Sequence, residues 1–281
     1  MKPSEHCCLL NGGAGAWAFE PLAAQLTVSI GIPVSVEPRE FNYVLSVEEP
    51  DSLGSLGSFI PLEAIRLASD KRMLASVFNN FRVPTPRTVL LDQFNDVLRF
   101  IGAHTAQEWC LKYPTSCGAN GHRMLSDISP EPPNWPRPFV VQEFIHLPRP
   151  QVFRTYCAGG ELFGWVVRQF PDKAPISPWV AHARGARYKC LGEPPESARP
   201  TAEQALRAAG LWDSFGCVDL LPGLNGEWLA LEVGTDGLFN HVDRDIGSPE
   251  FELILNEKVS AAFLNAARKF LFPTASPQPQ A

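Results

Sequence analysis

Two acidic residues lie inside apolar segments near the end of the chain, where a charge is hard to bury. Asp219 lies within Val218–Leu221 and Glu232 within Leu229–Val233, and a turn with two glycines separates the segments. The pattern predicts two adjacent strands. A carboxylate buried in a strand costs on the order of several kcal/mol unless a cation compensates it. We therefore predict a Mg²⁺ site here, because Mg²⁺ binds one or two carboxylates together with phosphate oxygens and water. The alternative is that both acids face solvent.

A lysine and a glycine-containing turn occur together in the middle of the chain. Lys112 ends the predicted strand Trp109–Lys112, and the run 114–121 begins two residues later. Glycine lets main-chain N–H groups approach a phosphate closely, and a lysine adds a point charge. An ordinary surface turn would have the same pattern. Together with Asp219 and Glu232, however, the run favours a phosphate-binding site.

Two arginines lie on a predicted hairpin of otherwise apolar strands. Arg154 falls in the strand Val152–Cys157 and Arg168 in the strand Leu162–Arg168, with two glycines at the turn between them. Guanidinium groups in such strands pair with carboxylate or phosphate. A structural salt bridge and stabilisation of a transferred phosphoryl group both remain open.

The remaining segments alternate between short strands and helices. We predict four helices, over Pro61–Phe81 (with a break near Ser69), Gln93–Ala103 (capped by Asp92), Thr201–Trp212 (capped by Thr201) and about Pro249–Phe270. Further strands are predicted over Val89–Leu91, Phe139–Ile145, Cys217–Leu221 and Trp228–Val233. Long loops are predicted over 170–200. The stretch Glu37–Phe59 suits a linker or irregular segment. Its apolar part, Phe41–Leu45, is expected to be core rather than a peptide-recognition element.

Composition and motifs exclude several function classes. A net charge of −6 provides no broad positive field for nucleic acid. The first ten residues contain neither a signal peptide nor a membrane span, which favours a cytoplasmic protein. Seven scattered cysteines without a CxxC pair predict reduced, mostly buried thiols. HExxH, GxSxG and P-loop motifs do not occur in the sequence.

In chain order, these motifs resemble the ATP-grasp superfamily, particularly the branch of ribosomal-protein glutamate ligases and peptide-modifying ligases. The resemblance spans about Pro61–Phe270 and includes the segments 69–74 and 83–86. It implies an α+β fold with two lobes that hold nucleotide between two antiparallel sheets, preceded by a short N-terminal α/β unit. The implied boundaries are 1–60 for that unit, 61–141 and 142–272 for the two lobes, and 273–281 for a disordered tail.

The resemblance also implies roles for individual residues. Phosphate contacts would come from Lys71 and Lys112, a glycine-rich lid from Ser116, Gly118 and Gly121, and an adenine-binding hinge from Gln142, Glu143, Phe144, Ile145 and His146. Arg154, Arg168 and Arg184 would be catalytic, and Asp219, Glu232 and Asp236 would hold Mg²⁺.

Two positions depart from the family pattern. Val152 replaces an acid, and Gly234 stands where the family has an asparagine that helps to hold two Mg²⁺ ions. Asp236 or Asn240 could supply the missing oxygen ligand; alternatively, a single metal is bound or catalysis is weakened.

The implied activity is ATP-dependent joining of a carboxylate to an amine through an acyl phosphate, with release of ADP and phosphate. ATP and Mg²⁺ would be required, and the substrates would be small molecules or peptides rather than nucleic acid or membrane. A non-catalytic nucleotide-binding module and a phosphotransferase are the alternatives. The sequence does not determine the oligomeric state.

Overall fold

A computed structural model describes residues 3–48, 53–126, 129–235 and 249–273. The N-terminal part is a parallel sheet with strand order β2-β1-β3-β4. Its elements are α1 (Pro3–His6), β1 (Cys7–Asn11), α2 (Glu20–Ile30), β2 (Val34–Ser35), β3 (Phe41–Ser46) and β4 (Gly57–Ser58). The final helix of the described chain, α7 (Pro249–Leu271), packs against this sheet and against α2.

Strand β3 is part of the core that joins the N-terminal sheet to α7. The ring of Phe263 on α7 lies 5.4 Å from that of Phe41 and 5.5 Å from that of Phe59. Phe41 and Tyr43 are buried, which confirms the expectation that Phe41–Leu45 is core. The prediction of a linker over Glu37–Phe59 is wrong at β3, because an inner strand of the sheet must bury its apolar side chains.

The predicted helix Pro61–Phe81 is divided in two at Asp70. Helix α3 covers Leu62–Ser69 and α4 covers Lys71–Asn80, while Asp70 has an extended backbone. The Asp70 carboxylate accepts a hydrogen bond from the Arg72 backbone N–H at 2.9 Å and so caps α4. The break places Lys71 in the first turn of α4, where its backbone N–H donates to the Pro114 carbonyl at 3.0 Å.

The second sheet is antiparallel, with strand order β5-β8-β6-β7. It consists of β5 (Thr88–Leu91), β6 (Trp109–Lys112), β7 (Arg123–Met124) and β8 (Phe139–Glu143), and α5 (Phe94–Ala103) covers one face. The predicted Asp92 cap is wrong, since α5 begins after Gln93 without a side-chain cap. Strand β8 ends at Glu143 rather than at Ile145.

The third sheet is also antiparallel, with strand order β11-β10-β9-β12-β13. It consists of β9 (Gln151–Ala158), β10 (Glu161–Gln169), β11 (Arg187–Gly192), β12 (Phe215–Pro222) and β13 (Trp228–Gly234), with α6 (Arg199–Ala208) packed on one face. Strand β11 and the 3-10 turn His182–Arg184 lie where long loops were predicted. Thr201 lies inside α6, so its predicted capping role is wrong; its hydroxyl donates to the Trp228 carbonyl instead.

All seven cysteines are free thiols, and five of them are buried. Cys190 is half-buried and Cys117 is exposed. This burial agrees with the prediction that the thiols are mostly buried. Within the described ranges, no helix has the length and apolar character needed to cross a membrane.

Candidate functional site

A cavity of about 780 Å³ is lined by residues of both antiparallel sheets. Most of the predicted site residues line it: Lys71, Lys112, Ser116, Gly118, Gln142, Glu143, Phe144, Ile145, His146, Arg154, Arg168, Asp219 and Glu232. Gly121 and Arg184 are not among its lining residues, and Asp236 lies outside the part of the chain that the structure describes. The fold therefore brings together residues that lie up to about 160 positions apart in the sequence.

Strand alternation determines which side chains face the cavity. On β6 and β8, Leu111 and Val141 pack against α5, so the neighbouring Lys112 and Gln142 point to the opposite face of the sheet. On β12, Val218 and Leu220 belong to the main core in the same way. Asp219, which lies between them, consequently faces the cavity.

Asp219 is held by two arginines from neighbouring strands. Arg154 Nε and Nη2 donate to its two carboxylate oxygens at 2.6 and 3.2 Å, and Arg168 Nη2 donates to Oδ2 at 2.9 Å. Arg154 lies directly opposite Asp219 in the β9–β12 register. Burial opposes the charged carboxylate, but the two guanidinium groups outweigh it and hold the pKa of Asp219 at about 2. The salt bridge that the sequence left open is therefore present.

Glu232 lies opposite Asp219 in the β12–β13 register but has different partners. Its Oε1 lies 3.8 Å from Lys71 Nζ and 3.8 Å from Lys112 Nζ. These distances exceed that of a direct hydrogen bond. Burial again opposes the charge, but the two lysines hold the pKa of Glu232 below its ordinary value. The side chain is 38% exposed, so its carboxylate remains accessible.

Lys71 and Lys112 connect Glu232 to the glycine-containing turn. Lys71 Nζ donates to the Ser116 carbonyl at 2.7 Å. Lys112 is 6% exposed, and burial lowers its pKa. In the turn, Gly118 has a φ of +63°, a conformation that favours glycine. The turn and both ammonium groups thus border the same end of the cavity.

The 3-10 turn His182–Arg184 faces the glycine-containing turn. Arg184 Nη2 donates to the Ala119 carbonyl at 3.2 Å, and a Cβ on Gly118 would lie 3.6 Å from that of Ala183. Arg184 therefore contacts the turn rather than lining the cavity. Its catalytic role stays a prediction.

Sequence reasoning missed two aromatic residues of the site. The Tyr188 hydroxyl accepts a hydrogen bond from Arg168 Nη1 at 3.0 Å, and both guanidinium groups of the arginine pair lie within 6 Å of its ring. The ring of Trp179 lies edge-on to those of His122 and Phe144, 5.4 and 5.5 Å away. Both residues come from the segment predicted as loops, where no motif marks them.

The acidic residues can accommodate Mg²⁺ only if a ligand completes its coordination shell. Across the described residues, no group of three His, Cys, Asp or Glu side chains could hold a metal ion. Asp219 and Glu232 nevertheless lie opposite each other in the β12–β13 register and both line the cavity, and Mg²⁺ ordinarily takes one or two carboxylates plus phosphate oxygens and water. Because the Glu232 carboxylate makes no close hydrogen bond to either lysine, the residues present fit one Mg²⁺ bound with a phosphate substrate.

The pKa of Asp219 leads to a prediction on stability at acid pH. Its folded pKa of about 2 lies below the ordinary value of 3.8, so its contribution is complete above about pH 4 and is lost as the pH falls through about 2. We expect the free energy of unfolding in urea to lose about 2 kcal/mol from this group over that window. An Asp219→Asn variant should lack this part of the pH dependence. If the free energy of unfolding changed with pH in the same way for both proteins, the low pKa could not be assigned to Asp219.

No protein-family model and no curated protein matches the sequence. Solved structures match over nearly the whole chain. The ATP-grasp ligase PsnB, complexed with a minimal precursor, has a TM-score of 0.65 at 12% identity over 92% of this chain and 99% of that one. The D-cycloserine synthetase DcsG gives 0.63 at 15% identity over 93% and 99%. The D-alanine–D-alanine ligase of Bacillus anthracis, complexed with ATP, gives 0.63 at 10% identity over 94% and 96%. The chain has the fold of the ATP-grasp ligases.

Proposed function

We propose that the chain is an ATP-dependent carboxylate–amine ligase that forms an amide or peptide bond through an acyl phosphate and releases ADP and phosphate. One observation carries the proposal. A single cavity collects Lys71, Lys112, Arg154 and Arg168 around two carboxylates, beside a glycine-containing turn. Such a concentration of fixed cations favours a polyphosphate substrate and stabilises charge on a transferred phosphoryl group.

In the proposed complex, the phosphates of ATP lie at the end of the cavity bordered by the turn. The two ammonium groups face them, and backbone N–H groups of the turn donate to phosphate oxygens. The base occupies the other wall, beside the backbone of Glu143–Ile145. Bound Mg²⁺ would neutralise phosphate charge during the transfer.

The reaction then proceeds in two displacements. A substrate carboxylate oxygen attacks the γ-phosphorus of ATP, the bond to the bridging oxygen breaks, and ADP leaves. An amine next attacks the acyl carbon, the C–O bond breaks, and inorganic phosphate leaves while the nitrogen loses its proton. In both steps negative charge develops on oxygens that Lys112 and Arg168 are placed to stabilise.

Related structures support the choice of substrates. PsnB has been solved with precursor peptides, and with Mg and ADP. The macrocyclase MdnB from Microcystis aeruginosa has a TM-score of 0.61 at 13% identity, covering 96% of this chain and 100% of that one. We therefore propose peptide or small-molecule acids and amines as substrates, not nucleic acid or membrane, and a cytoplasmic location where ATP is available.

An ADP-release screen tests the proposal. Purified protein with ATP and Mg²⁺ is offered amino acids and short peptides singly and in pairs, and products are identified by mass. We expect ADP release that depends on an acid and an amine together, and a product lighter than their sum by one water. Nucleotide binding without turnover would indicate a binding module, and a stable phosphorylated product would indicate a phosphotransferase.

A further inference from the structure

The two carboxylates of the site are opposite each other in register but differ in what holds them. Asp219 is 4% exposed and accepts three hydrogen bonds from guanidinium groups. Glu232 faces two ammonium groups at 3.8 Å, beyond hydrogen-bond distance. A divalent cation needs carboxylate lone pairs that are free to coordinate it, so the two acids are unequal candidates as ligands.

Asp219 is the common anion of the arginine pair. Both of its oxygens are engaged, and Oδ2 accepts from Arg154 and from Arg168. Arg154 Nη1 is already buried without a hydrogen-bond partner among the described residues. If Asp219 coordinated a metal ion instead, the guanidinium groups of Arg154 and Arg168 would lose their buried anion. The divalent cation would also lie beside their two positive charges.

Arg168 also bonds to two residues other than Asp219. Its Nε donates to the Val180 carbonyl at 2.8 Å and its Nη1 to the Tyr188 hydroxyl at 3.0 Å. Every nitrogen of this guanidinium group therefore has a partner on a different segment. Asp219 thus fixes the arginine pair relative to β11 and to the segment before it, which is what a positioning residue does.

We propose that Asp219 is a positioning residue for Arg154 and Arg168, and that Glu232 is the carboxylate that holds a single Mg²⁺ with the nucleotide. The inference rests on the proposed function and deepens it. Gly234, two residues after Glu232, has no side chain that could hold a second ion. The fixed guanidinium charges take the place of that ion beside the phosphates.

Manganese replaces Mg²⁺ as the probe, because electron paramagnetic resonance distinguishes one bound Mn²⁺ from two. The full chain is saturated with a non-hydrolysable ATP analogue and titrated with Mn²⁺. We expect about one Mn²⁺ per nucleotide-bound chain, with the spectrum of an isolated ion. Two ions about 4 Å apart would give a spin-coupled spectrum. That spectrum would overturn the proposal, whichever residue supplied the extra ligand.

Two variants separate the roles of the acids. Glu232→Gln should weaken Mn²⁺ binding to the nucleotide complex by about tenfold or more, and by more than Asp219→Asn does. Glu227→Gln, in the exposed turn between β12 and β13, is the matched control and should not change it. Equal losses in the Asp219 and Glu232 variants would refute the division of roles.

The test does not depend on the stability of the Asp219 variant. If Asp219→Asn fails to fold, the ion count in the unchanged protein still decides whether one ion or two are bound, and Glu232→Gln still decides whether Glu232 holds the ion. The proposed function is tested separately, because a chain that bound no nucleotide would fail before any Mn²⁺ was added. A chain that bound nucleotide with two Mn²⁺ ions would keep the proposed function and lose only this inference.

Discussion

Replacing Lys112 by methionine is expected to slow ATP-dependent turnover by about 10²–10³-fold. The ammonium group is buried at the phosphate end of the cavity, where a fixed charge acts more strongly than it would in water. Methionine fills a similar volume without the charge, so the fold should persist. The rate of ADP release with an acid and amine pair found in the screen measures the loss, and calorimetry measures nucleotide affinity.

Lys269→Met is the matched control for that experiment. Lys269 is exposed in the last turn of α7, and its replacement should leave both nucleotide affinity and ADP release unchanged. If Lys112→Met bound nucleotide and turned over like the unchanged protein, Lys112 would not contact phosphate. The proposed arrangement of the triphosphate would then be wrong.

Removing the carboxylate of Asp219 is expected to produce the largest loss of stability. Asp219→Ala leaves the guanidinium groups of Arg154 and Arg168 buried without their shared anion. Breaking a buried ion pair by removing one partner costs about 3–5 kcal/mol. Urea unfolding monitored by tryptophan fluorescence at neutral pH should show this decrease in the free energy of unfolding.

Asp172→Ala tests whether burial of the ion pair is the cause of the stability loss expected for Asp219→Ala. Asp172 also pairs with an arginine, Arg149, at 3.1 Å, but its side chain is 91% exposed. Exposed pairs contribute about 1 kcal/mol or less, because water and salt screen them. A loss at Asp219 no larger than the loss at Asp172 would show that the arginine pair does not depend on this carboxylate.

Some of the site followed from local sequence alone. Asp219, Glu232 and Lys112 were found because a charge inside an apolar strand needs compensation wherever the strand packs. The strands that carry them could also be predicted, because the alternation of side chains along a strand fixes which of them share a face. The hinge segment, Lys71 and the lid role of the glycine-containing turn came from the family resemblance. The hinge, Lys71, Ser116 and Gly118 line the cavity, whereas Gly121 does not. The predicted domain boundaries stay predictions, and the predicted tail lies almost entirely outside the described residues.

Helix ends and irregular segments were predicted less accurately. Asp92 and Thr201 have the residue types of helix caps, yet α5 begins after Gln93 and α6 begins at Arg199. These residue types are favoured in turns as well as at caps, and inside α6 the Thr201 hydroxyl donates to the Trp228 carbonyl on β13. Strand β11 was missed because it is an edge strand with charged residues among its apolar ones.

The sequence by itself determined that this protein has a carboxylate in each of two paired apolar strands and a lysine beside a glycine-containing turn. Both follow from the cost of burying charge and from the period of a strand. Only the tertiary structure decided which cation meets which acid. Arg154 and Arg168 converge on Asp219, Tyr188 accepts from Arg168, and the lysines face Glu232. Arg154 and Asp219 lie 65 positions apart on β9 and β12, and the pairing of these two strands depends on contacts between distant segments, which the local pattern does not encode.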